Sequence, residues 1–282
     1  MTPHLPVAPL PVTQAKIDCH MHVFDPVRFP YAADTFYRPS GHEVATVRAL
    51  ESVMASHGVA HALIVGPNSG YNLDNRCLLD ALQRGAGKFK GLAVVRNDTG
   101  RNELQTLQAQ GVVGVTLNAA LLGTQAYADA DALLRHLREL GMWAAVQVQH
   151  DQLLALRPML EDSGVQVLID HCGRPDPTAG VQQAGFAALL AMAEAGRTVV
   201  KLSSLVKTSA QPYPHEDSWP FVHALLAAHP TSHLLWGSDW PFLRAPERID
   251  YGPLLDLFAA LVPSPEARQT ILWDSPRRWF GF

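Results

Sequence analysis

The chain has 282 residues, of which 48% are apolar and 17% charged, with a formal net charge of −4. This is an ordinary globular composition with enough length for a large core. The negative balance, without a basic stripe interleaved with aromatics, argues against a nucleic-acid surface, and the longest apolar runs, such as ALLAMA, are too short to span a bilayer.

The chain opens MTPHLPVAPLPVTQ. It lacks the basic start and apolar block of a signal peptide. Residues 1–15 therefore read as a flexible, proline-rich arm, and residues 16–282 as one domain. Cys19, Cys77 and Cys172 are too few for a disulfide framework. A cytoplasmic location is the simplest expectation. The oligomeric state has no signal in the sequence.

From Lys16 onward, β-rich segments alternate with helical ones. Strands are expected at 16–23, 62–66, 91–95, 114–118, 143–149, 165–170, 198–203 and 233–239. Helical patterns lie between them, several ending in a glycine just before the next strand. Such alternation means βαβ units and a parallel sheet. Eight units predict the α/β class and a single (β/α)8 TIM barrel. The loop over 25–42 is long for a strand-to-helix connection and is expected to overhang the barrel mouth.

The first strand, KIDCHMHV, places Asp18, His20 and His22 at alternate positions, which predicts one shared face. Cys19 would then face the helices. In a barrel the chemistry sits at the C-terminal ends of the strands. The sixth strand ends in IDHCGRPD with His171, and the eighth in WGSDWP with Asp239. Each motif alone is weak, since imidazoles also serve as satisfied core groups. Together at three strand ends, three imidazoles and a carboxylate point to a catalytic cup. Asp18 reads equally as an orienting partner of an imidazole or as a structural buried acid.

DCHMHVFD, DHCGRPD and WGSDWP, in this order, resemble the amidohydrolase superfamily, in its amidohydrolase family 2. The nearest branch is that of 2-pyrone-4,6-dicarboxylate lactonase and related sugar lactonases, and the resemblance runs from about Lys16 to Phe282. It implies the barrel, a hydrolase, and a small-molecule lactone as substrate. It also implies catalytic roles for His20, His22, His171 and Asp239, with Asp239 activating water and histidines polarising the carbonyl. The rival expectations are a metal-dependent decarboxylase, a lactone isomerase and a non-catalytic barrel.

Metal-dependent relatives carry a lysine at the end of strand four or a histidine on strand five. Here those places read GVTLN and AAVQVQH, with Thr116, Asn118, Gln147 and Gln149. Amides are poor zinc ligands, and catalytic zinc takes three protein ligands. His150 falls on the other phase of the strand. The favoured expectation is therefore that no cofactor is required. The alternative is one Zn2+ held by His20, His22 and Asp239. An anionic substrate needs a cation, and Arg174 is the best placed. Lys201 and then Lys207 follow, with Arg28, Arg38 and Arg244 in loops. Related lactonases read GVR where Gly114, Val115 and Thr116 stand, so a less charged sugar-acid lactone competes with pyrone-dicarboxylate. Asn118, Gln147, Gln149 and Asn68 are expected to hydrogen-bond the substrate.

Overall fold

Short, β-branched and apolar runs pair in chain order in the computed structural model, which describes residues 10–282. The strands are β1 Lys16–Met21, β2 Val59–Val65, β3 Phe89–Ala93, β4 Val112–Asn118, β5 Trp143–Gln147, β6 Gln166–Ile169, β7 Thr198–Ser203 and β8 Leu234–Gly237. They form one eight-stranded sheet in the order β1 to β8, parallel throughout. The ends meet. Met21 and Trp240 form a parallel bridge, Asp239 N donates to His20 O at 2.8 Å, and His22 N donates to Trp240 O at 2.9 Å. The expected single (β/α)8 barrel is what the chain forms.

The helices between strands are α1 Val47–His57, α2 Arg76–Gly85, α3 Arg101–Ala109, the short α4 Ala119–Leu122, α5 Asp131–Leu140, α6 Gln152–Ser163, α7 Ala184–Ala191 and α8 Trp219–Ala228. After β8 come α9 Tyr251–Leu261, α10 Pro265–Gln269 and α11 Ser275–Phe280. Helix α5 shows how sequence sets these elements. Leu133, Leu134 and Leu137 share its buried side. Gly141, at φ 65°, then gives its N–H to Arg138 O, and Met142 gives its N–H to Leu137 O. This Schellman close needs a left-handed residue, which glycine adopts without strain.

Two apolar layers follow from the alternation of side chains along each strand. Ile17, Leu63, Leu92, Leu168, Val199 and Leu235 fill the barrel interior. Ile64, Val115, Val146, Ile169 and Trp236 face the helices. One end of the interior is closed by α11, where the Trp143 ring meets Trp279 and Phe280 edge-to-face, each at 5.6 Å. The other end, at the strand C-termini, remains open. No helix of the described residues is long and apolar enough to cross a membrane.

Strand β1 departs from strict alternation. Its register against β2 shifts between Asp18 and Met21. An irregularity of this kind moves later side chains to the other face. Ile17 and Cys19 share the interior cluster, with the Asp18 carboxylate turned outward to Tyr251 of α9. Beyond them His20 and His22 take the inner side and Met21 the outer. The expectation that Asp18 shares a face with the histidines, with Cys19 against the helices, is corrected by this bulge. Cys172 does lie in the outer layer. Of the expected N-terminal arm, residues 1–9 lie outside the described residues. Gln14 N donates to Pro11 O, and Lys16 Nζ donates to the carbonyls of Pro11, Gln14 and His57 at 2.8–3.0 Å.

Candidate active site

The open end holds a cavity of about 480 Å³, with His20, His22, Asp170, His171 and Asp239 among its lining residues. The seam between β1 and β8 sets this floor. Asp18 Oδ1 accepts from His20 N at 2.9 Å and Ser238 N at 3.0 Å, and Oδ2 accepts from Tyr251 OH at 2.7 Å. Asp18 therefore orients backbone on both sides of the seam and touches no imidazole. Burial pushes its carboxyl up to about 6, against the opposing effect of these hydrogen bonds. At Gly237 a Cβ would lie 2.7 Å from His20 Cβ and 2.9 Å from His20 N, so only glycine lets β1 close here.

The backbone at the site is unusual. His171, Arg174, Ser204 and Asp239 have φ between 44° and 63°. Non-glycine residues rarely adopt this region, at a cost of about 1–3 kcal/mol each. These residues follow β6, β7 and β8, so the chain accepts strain where it turns out of the strands and aims side chains at the cavity.

Asp239 is the electrostatic centre and is only 2% exposed. Its Oδ2 accepts from Ser204 Oγ at 2.7 Å and from Lys207 Nζ at 2.6 Å. Its Oδ1 faces His22 Nε2 at 3.3 Å and His20 Nε2 at 3.6 Å. Burial alone would raise the carboxyl pKa, but the Lys207 ammonium and the surrounding imidazoles hold it well below the ordinary value. Asp239 is a carboxylate with one oxygen saturated and one presented inward.

Two further contacts fix the rings. His22 Nδ1 lies 2.7 Å from Val65 O. A carbonyl only accepts, so Nδ1 carries a proton. With the neutral ring, His22 Nε2 and Asp239 Oδ1 then meet as two acceptor sites, which a water donating to both would join. On the other ring, Lys201 Nζ lies 3.2 Å from His20 Nδ1 and 2.8 Å from Asp170 Oδ1. An ammonium only donates. His20 Nδ1 is therefore the acceptor, and the ring's proton sits on Nε2, toward the cavity. Burial first, and Lys201 second, lower the His20 pKa to about 4. Burial holds His171 well below the usual imidazole range, and its Nδ1 pairs with Ser203 Oγ at 2.9 Å.

The remaining expected residues divide. Arg174, Asn118, Gln147 and Gln149 all line the cavity. Arg174 Nε is buried without a hydrogen-bond partner, and burial lowers the pKa of this guanidinium. Asn118 is committed to the protein, since Nδ2 donates to Asn68 Oδ1 and Oδ1 caps α4 at Leu121 N. Lys201 is 0% exposed and sits beneath the cavity, so its expected place among the substrate ligands is corrected to one behind His20. Arg28 pairs with Asp80, and Arg38 donates to loop carbonyls. Arg244 does line the mouth, with its guanidinium over the Tyr37 ring. From the long loop, Phe36 reaches the cavity. His150 is outside the lining and gives its N–H to Arg174 O.

Sequence reasoning passed over Asp170, Ser203 and Ser204. Asp170 is in phase with the interior residue Leu168, a signal that strand alternation carries. The serines have no comparable signal.

The Amidohydrolase family model, that of amidohydrolase family 2, matches residues 17–282. The chain belongs to the amidohydrolase family. A 4-sulfomuconolactone hydrolase of Rhizobium radiobacter is 32% identical over 274 residues, covering 94% of this chain and 89% of that protein. A 2-pyrone-4,6-dicarboxylate hydrolase of Comamonas testosteroni is 29% identical over 278 residues, with the same coverages of 94% and 89%. Among solved structures, one described as a probable 2-pyrone-4,6-dicarboxylic acid hydrolase of Acinetobacter baumannii, with citric acid bound, superposes with a TM-score of 0.87. It is 30% identical, and the match covers 95% of this chain and 99% of that one.

This amidohydrolase gathers possible metal donors. His20, His22 and Asp239 each offer a ligand atom, and these lie within 4.8 Å of one another. Distance alone would fit zinc. The protonation pattern does not, because Lys201 leaves the proton of His20 on Nε2. Only His22 Nε2 and Asp239 Oδ1 present lone pairs, one short of three protein ligands.

Proposed function

We propose that this amidohydrolase opens the ring of an anionic lactone by direct attack of water, without a required metal. The observation that carries this reading is Asp239, held ionised by Lys207 and Ser204 on one oxygen, with the other turned toward two imidazoles on the floor of the cavity. The named relatives are hydrolases of sulfomuconolactone and of pyrone-dicarboxylate, both anionic ring esters.

The chemistry follows from the acceptors and donors. A water donating to Asp239 Oδ1 and His22 Nε2 has its lone pair free for the lactone carbonyl carbon. As it attacks, Asp239 takes its proton, and the carbonyl π electrons move onto oxygen. His20 Nε2–H and His171 are the ring donors facing that charge. Collapse re-forms the carbonyl and breaks the ring C–O bond. The proton on Asp239 passes to the departing ring oxygen. A carboxylate of low pKa is a weak base, so it holds this proton only briefly. The product is a ring-opened acid.

Charge balance supports metal independence. Asp170 and Asp239 face Lys201 and Lys207 at 2.8 and 2.6 Å, so the buried carboxylates are already paired. Arg174 is the cation left for the substrate anion, with Arg244 at the mouth. Gln147, Gln149 and the buried, unpartnered Thr116 hydroxyl suit polar ring substituents. The buried free cysteines suit a cytoplasmic setting.

Purified protein should be screened by proton release against sulfomuconolactone, pyrone-dicarboxylate, aldonolactones and neutral lactones, before and after chelation. Release from an acidic lactone that survives chelation is expected, and Asp239→Asn should lower kcat by about 10²–10⁴. Turnover lost on chelation and restored by zinc would overturn metal independence. Silence on every lactone would overturn the activity.

A further inference from the structure

We propose that Lys201, buried beneath the site, is a positioning residue that makes His20 a hydrogen-bond donor to substrate and keeps it from being a metal ligand. The geometry shows two competing arrangements around His20 Nδ1. Asp170 Oδ1 lies 3.6 Å from it, and Lys201 Nζ lies closer, at 3.2 Å. The same Lys201 Nζ is 2.8 Å from Asp170 Oδ1.

Without the lysine, a carboxylate beside Nδ1 would accept a ring proton there. That carboxylate–histidine pair is the support that metal-ligating histidines use, with the lone pair left on Nε2. With the lysine present the polarity is reversed. The ammonium neutralises Asp170 and donates to Nδ1, so Nε2 keeps its proton and points it at the cavity. One buried side chain thus decides which of two chemistries the His20, His22 and Asp239 cluster performs. Lys201 has no exposed surface and is absent from the cavity lining, so it acts through His20 and Asp170.

This inference rests on the lactonase reading for the use of the Nε2 proton, but its test needs no lactone. Long-range proton–nitrogen spectra of histidine-labelled protein report the tautomer of His20, assigned by comparison with His20→Gln. Nδ1 is expected unprotonated and Nε2 protonated, and a proton found on Nδ1 would overturn the proposal. Zinc affinity is then measured by competition with a chromophoric chelator for wild type, Lys201→Met and Lys201→Met/Asp170→Asn. The double variant avoids a lone buried carboxylate. Lys201→Met is expected to bind zinc at least about tenfold tighter, the scale on which partners of ligating histidines act. Equal affinity in all three would overturn the selecting role. If both variants fail to fold, the wild-type spectrum still decides the tautomer. Wild-type turnover of lactones is scored separately, so an inactive protein with the expected tautomer refutes the activity and not the arrangement of the ring.

Discussion

Lys207 Nζ lies 2.6 Å from the Asp239 oxygen that points away from the imidazoles. The lysine thus stabilises the ionised carboxylate without occupying the oxygen that faces the cavity. In Lys207→Met the Asp239 pKa should rise, because the ammonium is the leading influence holding it down against burial. The working form is the carboxylate, so the acid limb of the kcat/KM profile should move to higher pH. The rate at its plateau should fall by about 10²–10³, the scale for losing a fixed charge from a reacting site. An acid limb unmoved in a folded variant would show that Lys207 does not tune Asp239.

Arg174 has the opposite character, since its buried Nε is committed to no protein partner. Arg174→Met should leave the melting temperature nearly unchanged. It should lower kcat/KM for acidic lactones by roughly 10–100-fold, as expected for losing a hydrogen bond to a charged group. Neutral lactones should be spared. Equal losses on both would place the substrate anion elsewhere.

Asp18 predicts a pH effect on stability. Its folded pKa is raised from 3.8 to about 6. Below about pH 4 both folded and unfolded chains keep this proton. Between about 4 and 6 only the folded chain keeps it, so stability falls as pH rises, by about 3 kcal/mol in all. Asp18→Asn removes the effect and retains an acceptor for both backbone N–H groups. Relative to wild type, the variant should gain stability between pH 4 and 7 in urea unfolding. A constant difference across that range would contradict the raised value. Asp170 and Asp239, held low, drop out of the comparison.

Gly237→Ala tests the seam directly. The new methyl would sit 2.7 Å from His20 Cβ. Overpacking of this kind costs typically about 1–3 kcal/mol, and here it also displaces His20. A loss of stability with a fall in kcat is expected. A variant that keeps both would mean that β1 yields without cost.

The barrel is legible in the sequence because each strand is a short apolar run and each helix repeats at its own period. His20, His22, His171 and Asp239 are legible because polar side chains at strand ends have no place in an apolar interior. What escaped is what parity cannot carry. The bulge in β1 turned His20 and His22 to the face opposite Asp18, the face that Cys19 shares with Ile17. Lys201 has the right parity for the interior, but the pattern does not report depth, and it lies below the cavity floor. Arg28 and Arg38 sit in a loop that does reach the mouth, yet their partners are Asp80 and local carbonyls. Loop charges find partners by geometry that periodicity does not encode.

The seam has a consequence for synthesis. His22 and Asp239 are 217 residues apart, and the segment that floors the barrel, Ser275–Phe280, comes later still. At about 5–20 residues per second, a ribosome takes roughly 10–45 seconds to travel from one to the other. Through that interval β1 has no closing partner, and its free edge is open to any other unpaired strand. The nascent chain is an unsealed sheet with exposed edges, and the strand that assembles the site is also the one that ends this exposure.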